Sequence, residues 1–236
     1  MKYKQMHRIG KEPDGTMILY VGAENWPFPI PLVNKNGVWF FDTDAGKEEI
    51  LLRRIGKNEL AAIDACHQLV DAEQEYYEKP FNGQPHYTER FVSEKRKHNG
   101  LYKSDTTDEF DSPVGPLIAS AGLESTNFTG DDAADNAIPF NGYYFRILTG
   151  QGENAPGGAK SYKVNGKMIG GFAFVAYPAE YRSSGVLTFM VSESGVVYEK
   201  DLGPNTANVA NAMTEYNPDS TWHQVNLSRN PHSELS

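Results

Sequence analysis

Residues 139–203 constrain this chain more than any other stretch. Four runs dense in aromatic and β-branched residues, at 143–148, 171–177, 187–191 and 196–200, are separated by glycine-bearing turns. Such side chains pack well on a pleated, half-buried surface, so the region predicts a sheet. Ser194-Gly195 lies between the last two runs and predicts an antiparallel hairpin. The connection QGENAPGGAKSYKVNGK contains a short strand over 161–164, turned back by Asn165-Gly166.

Upstream the apolar period changes. Ile63, Cys66, Val70 and Tyr77 recur at a helical spacing, broadened by Leu60, Leu69 and Tyr76, while Asp64, Asp71, Glu75 and Glu78 fall mainly on the other face. A helix over 58–78, capped by Asn58, therefore lies across another layer. A shorter helix precedes it, capped by Thr43 or Asp44, running through Ile55 and stopping at Gly56. Strands at 16–22 and 38–41 bracket WPFPIPL, with Asn36-Gly37 as the turn of a small hairpin-like unit. Pro27, Pro29 and Pro31 keep the intervening segment extended. HYTERFVSEKRKHNGLY reads as a shorter helical or irregular segment closing at Asn99-Gly100.

The expectation is an α+β fold: an amino-terminal β/α lobe over 1–57, then a long helix packed on a mainly antiparallel sheet over 58–236. With 236 residues the chain is long enough for one substantial core or two smaller lobes.

Charge removes several function classes. The formal net charge is -9, and no basic stripe offers the concentrated Lys and Arg that a general nucleic-acid grip requires. No apolar run approaches the ~18 residues of a membrane span, and MKYKQMHRIG lacks the apolar core of a signal peptide. The acid is concentrated: Asp105, Asp108, Glu109, Asp111, Glu124, Asp131, Asp132 and Asp135 lie within 104–136 without one Lys or Arg.

Few groups suggest chemistry. Cys66, the single cysteine, sits in the helical apolar pattern and reads as a small core residue. His67 follows it, but adjacent helical side chains point roughly 100° apart. Ser183, Ser184, Asp201 and His223 supply the residue types of a hydrolytic triad without the G-x-S-x-G elbow. The glycines between Gly150 and Gly171 match neither phosphate-loop spacing and read as turns. Asp131, Asp132 and Asp135 in DDAADN are candidate oxygen ligands for a structural calcium ion, with Asp105, Asp108 and Asp111 as a second set. Neither follows the EF-hand order, and exposed acidic loops are often only solvated.

The order WPFPIPL, FDTDAGKEEILLRRIGKNELAAI, LVDAEQEY, SPVGPLIASAG, GYYFRILTGQG and GFAFVAYPAEYRSSGVLTFMVSESGVVYEKDLG resembles the bacterial family catalogued as domain of unknown function 2950. The resemblance covers Met6 to Trp222. It implies an exported protein, with family members carrying a signal peptide and further sequence upstream, and it supplies no catalytic residues. More loosely, residues 58–203 resemble the globular domains of type IV pilin-like proteins, which also place a long helix before an antiparallel sheet. The hydrophobic helix of pilins has no counterpart in these residues.

The resulting functional expectation is an exported or envelope-associated, noncatalytic structural or interaction protein with a possible envelope protein partner. The alternative is a hydrolase or small-molecule binding enzyme, using Tyr, Asp, Glu or His at a cleft between lobes.

Overall fold

The computed structural model describes residues 2–80, 83–94, 97–102, 114–123 and 137–226. The fold is α+β, and the chain divides into two compact units, Met1–Lys57 and Asn58–Ser236.

In the first unit a short helix α1 (Lys2–Gln5) precedes five strands: β1 (His7–Lys11), β2 (Met17–Val21), β3 (Trp26–Pro27), β4 (Leu32–Lys35) and β5 (Val38–Phe41). The sheet order is β1-β2-β4-β5, with β3 also on β2. Asn36-Gly37 does turn a hairpin, with φ of 55° and 82°. Positive φ at both central residues matches the right-handed twist of paired strands, which is why Asn-Gly suits the position. The hairpin joins β4 to β5, however, and not the two strands expected to bracket WPFPIPL. Leu32 to Lys35 is too short to have announced itself by alternation. β1, likewise unexpected, carries Arg8, Gly10 and Lys11 and owes its form to pairing with β2.

The two expected helices are one. α2 runs unbroken over Thr43–Glu78. Its cap is Asp42, whose Oδ1 accepts the N–H groups of Asp44 and Ala45 at 3.2 Å, and not Thr43 or Asp44. Gly56 does not stop the helix, since one interior glycine costs only ~1 kcal/mol against alanine and the turns on both sides are good helix formers. Asn58 therefore caps nothing. Its side-chain amide instead donates to the Ser184 carbonyl at 2.8 Å. Pro80 follows the helix and cannot continue it.

In the second unit α3 (Pro116–Ser120) leads into β6 (Gly122–Leu123), then β7 (Tyr143–Leu148), β8 (Gly150–Gln151), β9 (Lys160–Ser161), β10 (Lys163–Val164), β11 (Lys167–Met168), β12 (Ala173–Pro178), β13 (Leu187–Ser192) and β14 (Val197–Asp201). Helix α4 (Thr206–Ala212), β15 (Glu215–Tyr216) and β16 (His223–Gln224) complete it. The main sheet has the order β16-β14-β13-β12-β7-β6, antiparallel except for the parallel β6-β7 pair. The four expected long strands and the hairpin through Gly195, with φ of 72°, are all present. The expected strand over 161–164 is split at Tyr162 into β9 and β10, which enter different small sheets. The described parts of 86–102 contain no helix; backbone bonds between Phe91 and Tyr102 and between Ser93 and Tyr102 fold them back on themselves.

Every residue of β12 is buried because both faces are covered. Phe145 and Phe174, with Tyr143 and Phe189, face the α2 side, where Ile63, Cys66, Leu69 and Val70 join the same apolar core. On the opposite face Arg146 and Tyr177 reach α4: the Arg146 guanidinium donates to the carbonyls of Ala210 at 2.6 Å and Met213 at 3.0 Å, and Tyr177 donates to Asn211. A sheet covered on both sides reads as continuous apolar runs, as FAFVAYP does. Two helix assignments change. Leu60 is 56% exposed and does not extend the buried face, whereas Tyr77 reaches the core indirectly, stacking on Tyr87, which contacts Phe172.

Candidate functional site

The second unit carries a cleft of about 300 Å³ lined by Tyr76 of α2, by His86, Tyr87, Thr88, Glu89, Arg90 and Asn99 of the segment packed over it, and by the β10-β11 turn. Beneath Thr88 lies Glu73, fully buried on α2. Its Oε2 accepts the Thr88 backbone N–H at 3.0 Å, and its Oε1 has no hydrogen-bond partner among the described residues. Burial pushes the carboxyl up to about 8, opposed by the Thr88 N–H. At neutral pH the group is therefore mostly an uncharged acid.

A raised carboxyl near a cleft marks a candidate functional group, but Glu73 is fully buried and does not itself line this cleft. The rest of the constellation is committed inward. Thr88 Oγ1 donates to the Asn99 carbonyl and accepts the Arg90 N–H, while the Asn99 side chain accepts the Glu94 backbone N–H and donates to the Glu94 carboxylate. Arg90 pairs with Glu94 at 3.3 Å and Glu89 with Lys163 at 2.5 Å. His86 Nδ1 lies 3.0 Å from the Gln84 carbonyl, so in the neutral ring Nδ1 carries the hydrogen and Nε2 holds the lone pair. Besides these committed groups the cleft is lined by two tyrosines, one imidazole edge-on to Tyr76, Lys167 and Met168.

The residues singled out in the sequence take other places. Cys66 is buried, and desolvation pushes its thiol up to about 12, so it is a core residue with negligible thiolate. His67 borders a separate cavity of about 180 Å³ with Ser194 and Gln224. Ser184 Oγ bonds Glu180 within its own turn, Asp201 accepts from Tyr181 and from the Gly203 N–H, and His223 stands opposite Glu199 at the sheet margin. These contacts close turns and join strands, and they place Ser184, Asp201 and His223 in separate local bonds. Asp131, Asp132 and Asp135, with Asp105, Asp108 and Asp111, lie outside the described residues, among which no group of three His, Cys, Asp or Glu side chains could hold a metal ion. No helix of the described residues is long and apolar enough to cross a membrane.

The first unit presents a different kind of site. β5, sequence VWFF, ends its sheet, and all four residues are exposed, Val38 at 65% and Trp39 at 55%. Trp26 is nearly half exposed beside Phe28, whose ring lies 5.4 Å from Phe41. Lys35 and Arg53 set cations over Phe40 and Trp26. Edge strands in natural proteins are normally blunted by charge, proline or a bulge, and the apolar β5 contains no charge or proline. The expected strand over 38–41 is present as β5, but its exposure was not foreseen, because a short apolar run does not distinguish a covered strand from an open one.

The family model for a protein of unknown function, DUF2950, matches residues 1–225, and the chain belongs to that family. No curated protein and no solved structure matches it.

Proposed function

We propose that this DUF2950 member is an exported or envelope-associated, noncatalytic interaction module that engages a polypeptide partner along β5. The observation that carries the reading is the run Val38–Phe41, an edge strand with four exposed apolar residues. An added strand would use the free backbone groups of that edge for affinity and the alternating aromatic side chains for selectivity. The export component rests on the family resemblance. The inert Cys66 thiol and the inward-bonded polar groups of the cleft favour binding over catalysis.

Crosslinking in the cell envelope tests it. The native protein should yield a discrete crosslinked species whose linkage maps beside β5, and the double substitution Trp39→Ser and Phe41→Ser should abolish it without changing the melting temperature of the second unit. A protein confined to the soluble cytoplasmic fraction, or a crosslink indifferent to both substitutions, would overturn the reading.

A second reading is small-molecule binding at the Tyr76 and His86 cleft, favoured by the buried acid behind Thr88. A ligand held there would raise the apparent stability in a thermal-shift screen, and His86→Ala would remove the shift.

A further inference from the structure

The register of β5 fixes which of its backbone groups face outward. The hairpin pairs Lys35 with Val38, Asn34 with Trp39, Val33 with Phe40 and Leu32 with Phe41. Just past the strand the Asp42 N–H donates to the Pro31 carbonyl at 2.9 Å, so residue 42 turns its backbone toward the β4 side. Inward and outward groups alternate along an antiparallel pair, which commits 38, 40 and 42 to that side and directs the N–H and C=O of Trp39 and Phe41 outward. Among the described strands β5 pairs with β4 alone, so two donors and two acceptors stand on an open edge, placed symmetrically about Phe40.

That symmetry makes the edge complementary to itself. A second β5, antiparallel and related by a two-fold axis through Phe40, sets Trp39 against the partner's Phe41 and Phe41 against the partner's Trp39, and every outward group is bonded. Shifting the pairing by two residues would set Phe41 against Gly37, whose N–H already bonds Asn34 Oδ1 at 3.0 Å, or Trp39 against Thr43, the first residue of α2. Side chains directly opposite share a face. On one face the ring of Phe41, 5.4 Å from Phe28, continues onto the partner's Trp39, and on the other the two Phe40 rings meet at the axis. Charge agrees. Lys35, its ammonium 5.4 Å over Phe40, stands at the turn end of the edge, and Asp42, which caps α2 through Oδ1, stands at the helix end. Antiparallel pairing brings Lys35 toward the partner's Asp42, whereas a parallel second copy would set like charges together.

We propose, on the reading of β5 as a binding edge, that its occupant is a second copy of this chain, added antiparallel through Trp39, Phe40 and Phe41 so that two amino-terminal sheets join edge to edge. Such a two-fold, self-complementary contact is the commonest form of homodimer. Four residues a side is small beside the ~800 Å² per partner of standard interfaces, so association is weak and follows concentration.

Sedimentation equilibrium of the whole chain, from micromolar to near-millimolar concentration, tests the pairing: the mass should rise from 26.3 kDa toward twice that value. Phe40→Cys should link two chains on oxidation, because opposed residues of a non-bonded antiparallel pair have Cα atoms about 4.5 Å apart, within reach of a disulfide. Val38→Cys, on the same face, should link at least about tenfold more slowly, since its two copies lie four residues apart in this register, roughly 13 Å. The native Cys66 is buried and does not compete. Phe40→Lys and Phe40→Glu should each be monomeric, with like charges meeting at the axis, and their equimolar mixture should associate again, which also shows that both variants fold. A wild type of single-chain mass at every concentration overturns the second copy as occupant; a β5-dependent crosslink to a polypeptide of another mass would in that case still support the wider reading of the edge. A dimer left intact by Phe40→Lys, or equal linking at positions 38 and 40, overturns the pairing through Phe40.

Discussion

Glu59 Oε1 lies 2.9 Å from the backbone nitrogen of Val186, reaching across 127 positions of sequence, and accepts the next N–H, that of Leu187, at 3.1 Å. With Asn58 holding the Ser184 carbonyl, two consecutive residues of α2 secure the approach to β13. Glu59→Ala leaves two N–H groups without their acceptor and is expected to cost about 1–3 kcal/mol. Glu59→Gln keeps an oxygen in place and should cost clearly less. Urea unfolding of both variants checks the order; equal losses would mean that charge, and not acceptor geometry, holds the turn.

Val70 is buried on α2 within the core, and Glu75 on the same helix is partly exposed and pairs with Lys79 at 2.8 Å. Val70→Asp inserts a carboxylate without a partner and should destabilise by several kcal/mol. Glu75→Gln should change stability by less than about 0.5 kcal/mol, the usual worth of an exposed helical ion pair. Denaturant midpoints for the two variants compare them directly, and wild-type stability for Val70→Asp would contradict the packing of this face.

Glu73 also sets a pH slope for the whole fold. Its folded-state value, about 8, stands above the ordinary 4.5, so between those limits the native state holds a proton that the unfolded chain has released. Stability from this group is complete below pH ~4.5 and falls by about 1.4 kcal/mol per pH unit until pH ~8. Glu73→Gln should remove that slope and be more stable than wild type at pH 8. Melts from pH 5 to pH 9 provide the measurement, with a wild-type curve as flat as the variant's counting against it.

Gly56 occupies a helical position where an added Cβ meets nothing within 4 Å. Gly56→Ala should stabilise α2 by up to ~1 kcal/mol, through a less flexible unfolded chain. A rise in melting temperature by circular dichroism is the expected result; a fall would locate an unfavourable contact of the new methyl group.

Periodicity carried much of the architecture. The 143–148, 187–191 and 196–200 runs appear as β7, β13 and β14, and the apolar spacing from Ile63 to Val70 appears as the buried face of α2. Such patterns are readable because alternation and helical spacing are local properties of a few turns of chain. The candidate site was much less legible. Glu73 sits between residues of the buried face, but its placement under Thr88 requires the Thr88 backbone to pack back onto α2, and β5 pairs with β4 alone among the described strands, which leaves its other edge open. A carboxyl in a helical sequence ordinarily signals solvent, so nothing at 73 announced the opposite.

By itself the sequence determined that a long amphipathic helix and an antiparallel sheet had to share an apolar core, since each has one or two faces that water disfavours. Only the tertiary structure decided that α2 passes through Gly56 without a break, that Arg146 lies inside the fold capping α4, and that one acid of α2 is dry while its neighbours are wet. Each depends on partners far away in the chain, whose packing overrides local preference by making or withholding water, hydrogen bonds and room.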